Sequence, residues 1–153
     1  MSKREMPEAP DPPPASLPPS LSVWTGYLFS RVAQRCQERF DTLMEPCGVR
    51  ARHFRVLAVL GEGESLSQAE IGERLGIDRN TMVLLLDDLE GRGLIMRRRA
   101  PEDRRAHRVG LTDAGREILA RGMEMARRTS EEVFAPLSPD ERAQLHALIR
   151  RLF

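Results

Sequence analysis

Gln68-Ala-Glu-Ile-Gly-Glu-Arg-Leu-Gly-Ile-Asp-Arg-Asn-Thr-Met-Val-Leu-Leu-Leu-Asp87 reads as two short helices meeting at a tight turn. A steep helix crossing needs a small residue where the backbones touch, and Gly72 supplies it. The turn needs a residue without a Cβ penalty, and Gly76 sits there. Ile71, Leu75, Ile77, Met82, Leu85 and Leu89 then form one shared core. Directly after comes Gly93-Leu-Ile-Met-Arg-Arg-Arg-Ala-Pro-Glu-Asp-Arg-Arg-Ala-His-Arg-Val-Gly-Leu-Thr-Asp-Ala-Gly115. It has two runs of strand length, 94–99 and 107–111, joined by an Arg-bearing loop at 100–106. A helix–turn–helix running into a basic hairpin offers one element for the major groove of DNA and a neighbour for the minor groove.

The flanks are helical. Ser67-Gln-Ala-Glu70 is a capping box that opens the first helix of the pair, and Asp78 caps the second, which runs to about Glu90. On the N-terminal side, Trp24, Tyr27, Leu28, Val32, Phe40, Leu43 and Met44 recur at helical spacing, predicting one helix from Leu21 to Met44 that ends at Pro46 and Gly48. Arg50 to Leu60 predicts another, stopped by Gly61-Glu-Gly63. On the C-terminal side Thr112 caps a long helix to about Phe134. Ser138-Pro-Asp-Glu141 opens a last helix with Leu145, Leu148, Ile149 and Leu152 on one face. Residues 1 to about 20 hold seven of the eleven prolines and little that can enter a core, which predicts an extended or disordered tail.

The chain has 153 residues and a net charge of +1, enough for one domain with a full core and not a polycation. Charge is unevenly placed. Between Arg92 and Arg108 seven Arg face Glu102 and Asp103, a local +5, so the remainder carries −4. Such a focused basic patch suits a polyanion. Two cysteines, Cys36 and Cys47, are too few for a disulfide scaffold, and the longest apolar runs are five residues, so neither a signal peptide nor a membrane span is expected. A cytoplasmic protein follows. His53, His107 and His146 are scattered, with no metal spacing, phosphate loop or nucleophile elbow, which argues against an enzyme, a metal site or a cofactor.

Leu89-Glu-Gly-Arg-Gly-Leu94, then Asp103-Arg104-Arg105, and then Val109, Gly110, Leu111-Thr112 and Gly115 resemble the recognition-helix exit and the wing signature (Asp-x-Arg, Val-x-Leu-Thr-x-x-Gly) of the MarR family of bacterial regulators. The resemblance covers about residues 20 to 153. It implies a mainly α fold with a small β-hairpin wing, a winged helix–turn–helix core over about 50–111. Dimerisation helices at about 21–46 and 112–153 would build a homodimer on a near-palindromic DNA site. It also implies a regulator, most commonly a repressor, that responds to small aromatic or phenolic effectors. Arg105 matches the wing Arg by position, with Arg104 beside it.

On the recognition helix Asp78, Arg79, Asn80, Val83, Leu84 and Asp87 are the expected outward positions. Arg79 suits guanine or phosphate, Asn80 adenine, Thr81 phosphate and Val83 a thymine methyl. Ser67 and Gln68 begin the preceding helix, whose amides can hold a phosphate. Arg97, Arg98 and Arg99 alternate along a strand, one face toward phosphate and the other toward carboxylates or solvent. Asp87 is expected to pair with an Arg, from the wing for instance. Relatives commonly carry Thr or Ser and then Arg or Lys where this chain has Val83 and Leu84, and a basic residue where it has Asp88, so base readout is expected to lean on shape. A weakly specific architectural DNA binder or a protein-contact module is the competing reading. For the effector, Trp24, Tyr27, Arg31 and His53 are the candidates, although aromatics at helical spacing are more often core. Cys36 is expected in the core and Cys47 exposed.

Overall fold

The computed structural model describes residues 17–63, 66–99 and 107–153. In chain order these form α1 (Pro19–Ser22), α2 (Thr25–Met44), α3 (Ala51–Leu60), α4 (Gln68–Leu75), α5 (Arg79–Gly91), β1 (Ile95–Arg99), β2 (His107–Leu111), α6 (Asp113–Val133) and α7 (Pro139–Arg150). Most of the expected tail and the loop at 100–106, with Arg104 and Arg105, lie outside the described residues.

The caps read from sequence are in place. Ser67 Oγ accepts from Glu70 N–H while the Glu70 carboxylate accepts from Ser67 N–H, and Ser138 and Glu141 repeat the exchange at α7. Asp78 Oδ1 accepts the Asn80 and Thr81 amides. Gly76 turns from α4 toward α5 with φ +62°, and a Cβ on Gly72 would stand 3.0 Å from the Ile77 carbonyl oxygen, the close crossing the spacing demands. Ile71, Met82, Leu86 and Leu89 are fully buried beneath it, with Met44, Val56 and Leu57 from the preceding helices.

The N-terminal helices differ from the expectation. The expected single helix from Leu21 is broken, because Trp24 takes an extended backbone (φ −98°, ψ 107°) between α1 and α2. Two residues assigned to the tail, Pro19 and Ser20, already belong to α1, where proline suits the first helical position. The α2 helix then meets α3 through its last turns: Phe40 and Phe54 have ring centroids 4.9 Å apart, and Asp41 Oδ1 accepts the Ala51 amide at 2.6 Å. Behind them runs α6. Arg39 of α2 and Arg128 of α6 both bind Glu132 and hold its carboxyl down to about 2. No residue of α7 is buried.

The hairpin pairs antiparallel, from Ile95 opposite Leu111 to Arg99 opposite His107, and Leu66 adds a bridge to Val109. Its base is closed by the residues of the signature. Thr112 Oγ1 donates to the Gly93 carbonyl at 2.6 Å and accepts the Gly115 amide, so one hydroxyl ties the start of β1 to the cap of α6. A Cβ on Gly115 would lie 1.9 Å from the Leu94 carbonyl oxygen, a backbone atom that cannot swing away. Gly115→Ala should therefore destabilise by about 1–3 kcal/mol or more despite the better helix propensity of alanine. Gly91→Ala, which meets open space, should be neutral or stabilising; thermal melts of the two variants, compared with wild type, check both signs.

Candidate nucleic-acid interface

The outer face of α5 is polar at its start and apolar at its centre. Arg79, Asn80 and Thr81 are exposed, Leu84 is 70% exposed and Asp87 is exposed. Val83, expected to face outward, is half-buried. Thr81, expected on phosphate, gives its hydroxyl proton to Asp78 Oδ2 at 2.6 Å. That bond braces the cap, holds the Asp78 carboxyl below its usual range and leaves the hydroxyl no proton for a phosphate. Ser67 and Gln68 are half-buried at the head of α4. Two amides there are already occupied by the capping box, and Arg108 Nη1 sits 2.9 Å from Glu70 Oε2.

The wing is fixed to the recognition helix by Arg97. Its Nη2 meets Asp87 Oδ1 at 2.6 Å, its Nη1 meets Glu90 Oε2 at 2.5 Å, and its backbone N–H reaches the other Glu90 oxygen. Asp87 thus takes a wing Arg as its partner, as expected. The alternation along β1 places Arg97 against carboxylates, and Arg98 lies on the opposite face with its Nε on the Met96 sulfur.

The other end of α5 is held by contacts the sequence did not announce. Asp88, read as an acid standing where relatives are often basic, is turned toward α3. Its Oδ1 accepts from Arg92 Nε at 3.0 Å, and its Oδ2 lies 3.1 Å from His53 Nε2 without hydrogen-bond geometry. Arg92 also donates to the Gly48 carbonyl at 2.6 Å. This Arg92 bond holds the Asp88 carboxyl below its usual range. His53 is 2% exposed, and its Nδ1 accepts the Arg50 amide, so the neutral ring carries its proton on Nε2, facing Asp88.

The four effector candidates are not gathered by one chain. Trp24 is 65% exposed, Tyr27 and Arg31 are half-buried on the first turns of α2, and Arg31 bonds Gln34. His53 belongs to α3, which packs on α2 near Phe40, about 14 Å along the helix from Arg31. A cleft of about 320 Å³ does open elsewhere, between the end of α3, the start of α6 and one face of the wing, lined by Leu60, Met96, Arg98, Arg108, Leu111 and Arg116 among others. The arginines at its mouth were legible only as scattered charges, because strand register is what brings Arg98 and Arg108 opposite each other. Cys36 and Cys47 are both free and half-buried; Cys47, expected to be exposed, lies under α6 with its sulfur 3.8 Å from Arg121 Nη1. Among the described residues no cluster of three metal-ligating side chains occurs, and no helix is long and apolar enough to cross a membrane.

Burial, ahead of the Arg52 charge, pushes His53 below its ordinary value of about 6.5 against the pull of Asp88. An unfolded chain therefore takes up this proton at higher pH than the native one. The stability held by the neutral ring is complete above about 6.5 and is lost as pH falls through the lower native value. Urea unfolding between pH 7.5 and 5 should show wild type losing stability, by at most about 1.4 kcal/mol per pH unit for one proton. His53→Gln should flatten the profile; equal slopes in the two proteins would remove His53 from this role.

The sequence model of the MarR family matches residues 50–107, from the cap of α3 to the first residue of β2. The chain is 32% identical over 146 residues to YdgJ of Bacillus subtilis, an uncharacterized helix–turn–helix-type transcriptional regulator, covering 86% of this chain and 89% of that one. Among solved structures it is similar to CouR, a transcriptional repressor bound to a 23-mer DNA duplex, with 36% identity, a TM-score of 0.81 and coverage of 90% and 99%. It is also similar to the PcaV transcriptional regulator of Streptomyces coelicolor in complex with its natural ligand, with 31% identity, a TM-score of 0.74 and coverage of 90% and 96%.

Proposed function

The chain belongs to the MarR family of transcriptional regulators, and we propose that it is a homodimeric repressor that binds a near-palindromic operator and is released by a small organic effector. The observation that carries the DNA-reading half is the bonding of α5 to β1 of the hairpin through Arg97. Arg97 ties β1, with its Arg97–Arg99 run, to α5, whose first turn exposes Arg79 and Asn80. In this reading residues 50–111 form the DNA-reading core. Arg79 and Asn80 enter the major groove, Arg104 and Arg105 reach the minor groove, and Ser67 and Gln68 lie against phosphate. The DNA-bound repressor CouR, at 36% identity, supports the repressor mode, and the ligand-bound PcaV supports effector control.

Residues 21–46 and 112–153 are the dimerisation helices in this proposal. Large apolar side chains there stand exposed on one chain: Trp24 just before α2, Phe29 and Val32 on α2, Met123 on α6, and Leu148 and Leu152 at the C-terminal end. A second copy is the covering that would bury them. The pair Leu148→Asp and Leu152→Asp should convert the dimer to monomer in sedimentation analysis and abolish tight DNA binding.

The direct test is a salt titration of binding to the DNA upstream of the chain's own coding sequence, against a scrambled duplex of equal length. The expected result is a specific complex of one dimer per palindrome. Arg79→Ala should weaken it roughly 5- to 100-fold, and Arg105→Ala should also lower the log–log salt slope by about one per wing. Equal affinity for both duplexes would favour the architectural or protein-contact reading, for which the exposed Leu84 on α5 is the observation.

A further inference from the structure

We propose that Leu84 is a base-reading residue whose partner is the 5-methyl group of thymine, so that the operator carries an obligatory T·A pair in each half-site beneath the centre of α5. This rests on the DNA-binding reading above. Asn80, Leu84 and Asp87 follow one another at i, i+4 and i+7, a single stripe along the exposed face of the helix. A lone exposed leucine on a protein surface carries no information. This one stands at the middle of the only stripe of α5 exposed along its length among the described residues, one turn beyond Asn80.

Its neighbours decide what it can do. Asp87 is bound by Arg97, Glu90 by the same guanidinium, and Asp88 by Arg92 on the α3 side. The carboxylates that would otherwise accept from a cytosine amino group are therefore committed within the protein. The side chain left projecting at that level is an uncharged branched hydrocarbon, 70% exposed, with half-buried Val83 beside it. In the major groove the one apolar group that distinguishes one base from another is the thymine methyl. An unpaired polar edge of guanine or cytosine under Leu84 would lose water and gain no bond, so the residue both attracts thymine and penalises the alternatives.

A duplex is first selected from a random pool by the purified full-length protein, and deoxyuridine is then placed at each thymine in turn. Uracil keeps every hydrogen-bonding atom and lacks only the methyl. Removal of one buried methyl should weaken binding roughly fourfold at one position per half-site and roughly fifteenfold when both half-sites are changed. Leu84→Ala, an exposed change that leaves the melting temperature in place, should bind thymine and uracil duplexes equally. Indifference to uracil at every position, or an undiminished uracil penalty in Leu84→Ala, overturns the role of Leu84 while the regulator reading stands. Failure to select any duplex overturns the DNA reading itself and turns Leu84 into a protein-contact residue.

Discussion

Arg97 sets the relation between the two elements that would meet DNA. A two-stranded hairpin has little stability of its own, and this one projects from the body of the chain. Its strands are fixed at one end by Thr112 and the close approach of Gly115 to Leu94, and along its length by Arg97 against Asp87 and Glu90. The guanidinium is partly withdrawn from water, at 22% exposure, and meets two carboxylates in a forked arrangement. Charge-assisted bonds of this kind are stronger than ordinary surface ion pairs, and they are directional. The consequence is that β1 cannot move away from α5 without breaking them.

That clamp reshapes the chemistry of α5. Acids in the second half of a helix proposed to meet a polyanion are a liability unless something neutralises them. Here Arg97 takes two and Arg92 takes the third, and Arg92 at the same time ties the helix end to Gly48. His53 supports the same corner from α3, with its ring wedged between the Arg50 amide and Asp88. The acids thus serve as anchors for α5, and in the proposed reading the polar contacts to DNA fall to its first turn.

Features set by neighbours in sequence were legible: the capping boxes at Ser67 and Ser138, the Asp78 cap, the Gly76 turn, and the strand limits around 94–99 and 107–111. Each depends on residues within a few positions of one another. The features that escaped depend on residues far apart. Asp41 capping α3, Asp88 facing His53, and Arg39 with Glu132 arise only when helices pack. The break at Trp24 escaped because the apolar spacing runs straight through it, and Gly26, two residues on, lies within a pattern that otherwise reads as one helix. Thr81 shows a subtler limit. Its type suits a phosphate, and only the placement of the Asp78 carboxylate reveals that its proton is already committed.

Charge counted along the sequence overstates the field the protein can offer. Of the seven arginines between Arg92 and Arg108 five are described, and among these Arg92 pairs with Asp88, Arg97 with Asp87 and Glu90, and Arg108 with Glu70, all acids outside that stretch. Those pairs build the wing and hold it to α4 and α5; they contribute little attraction at a distance because each is a compact dipole. By contrast, Arg79 is exposed at the head of α5, and Arg98 and Arg99 are exposed along β1. Each cation paired in this way is withdrawn from the electrostatic component of binding, which raises the demand on shape and base contacts. An apolar residue at the centre of the reading helix is consistent with that balance, since a hydrocarbon contact gains nothing from counterion release and keeps its strength as salt rises.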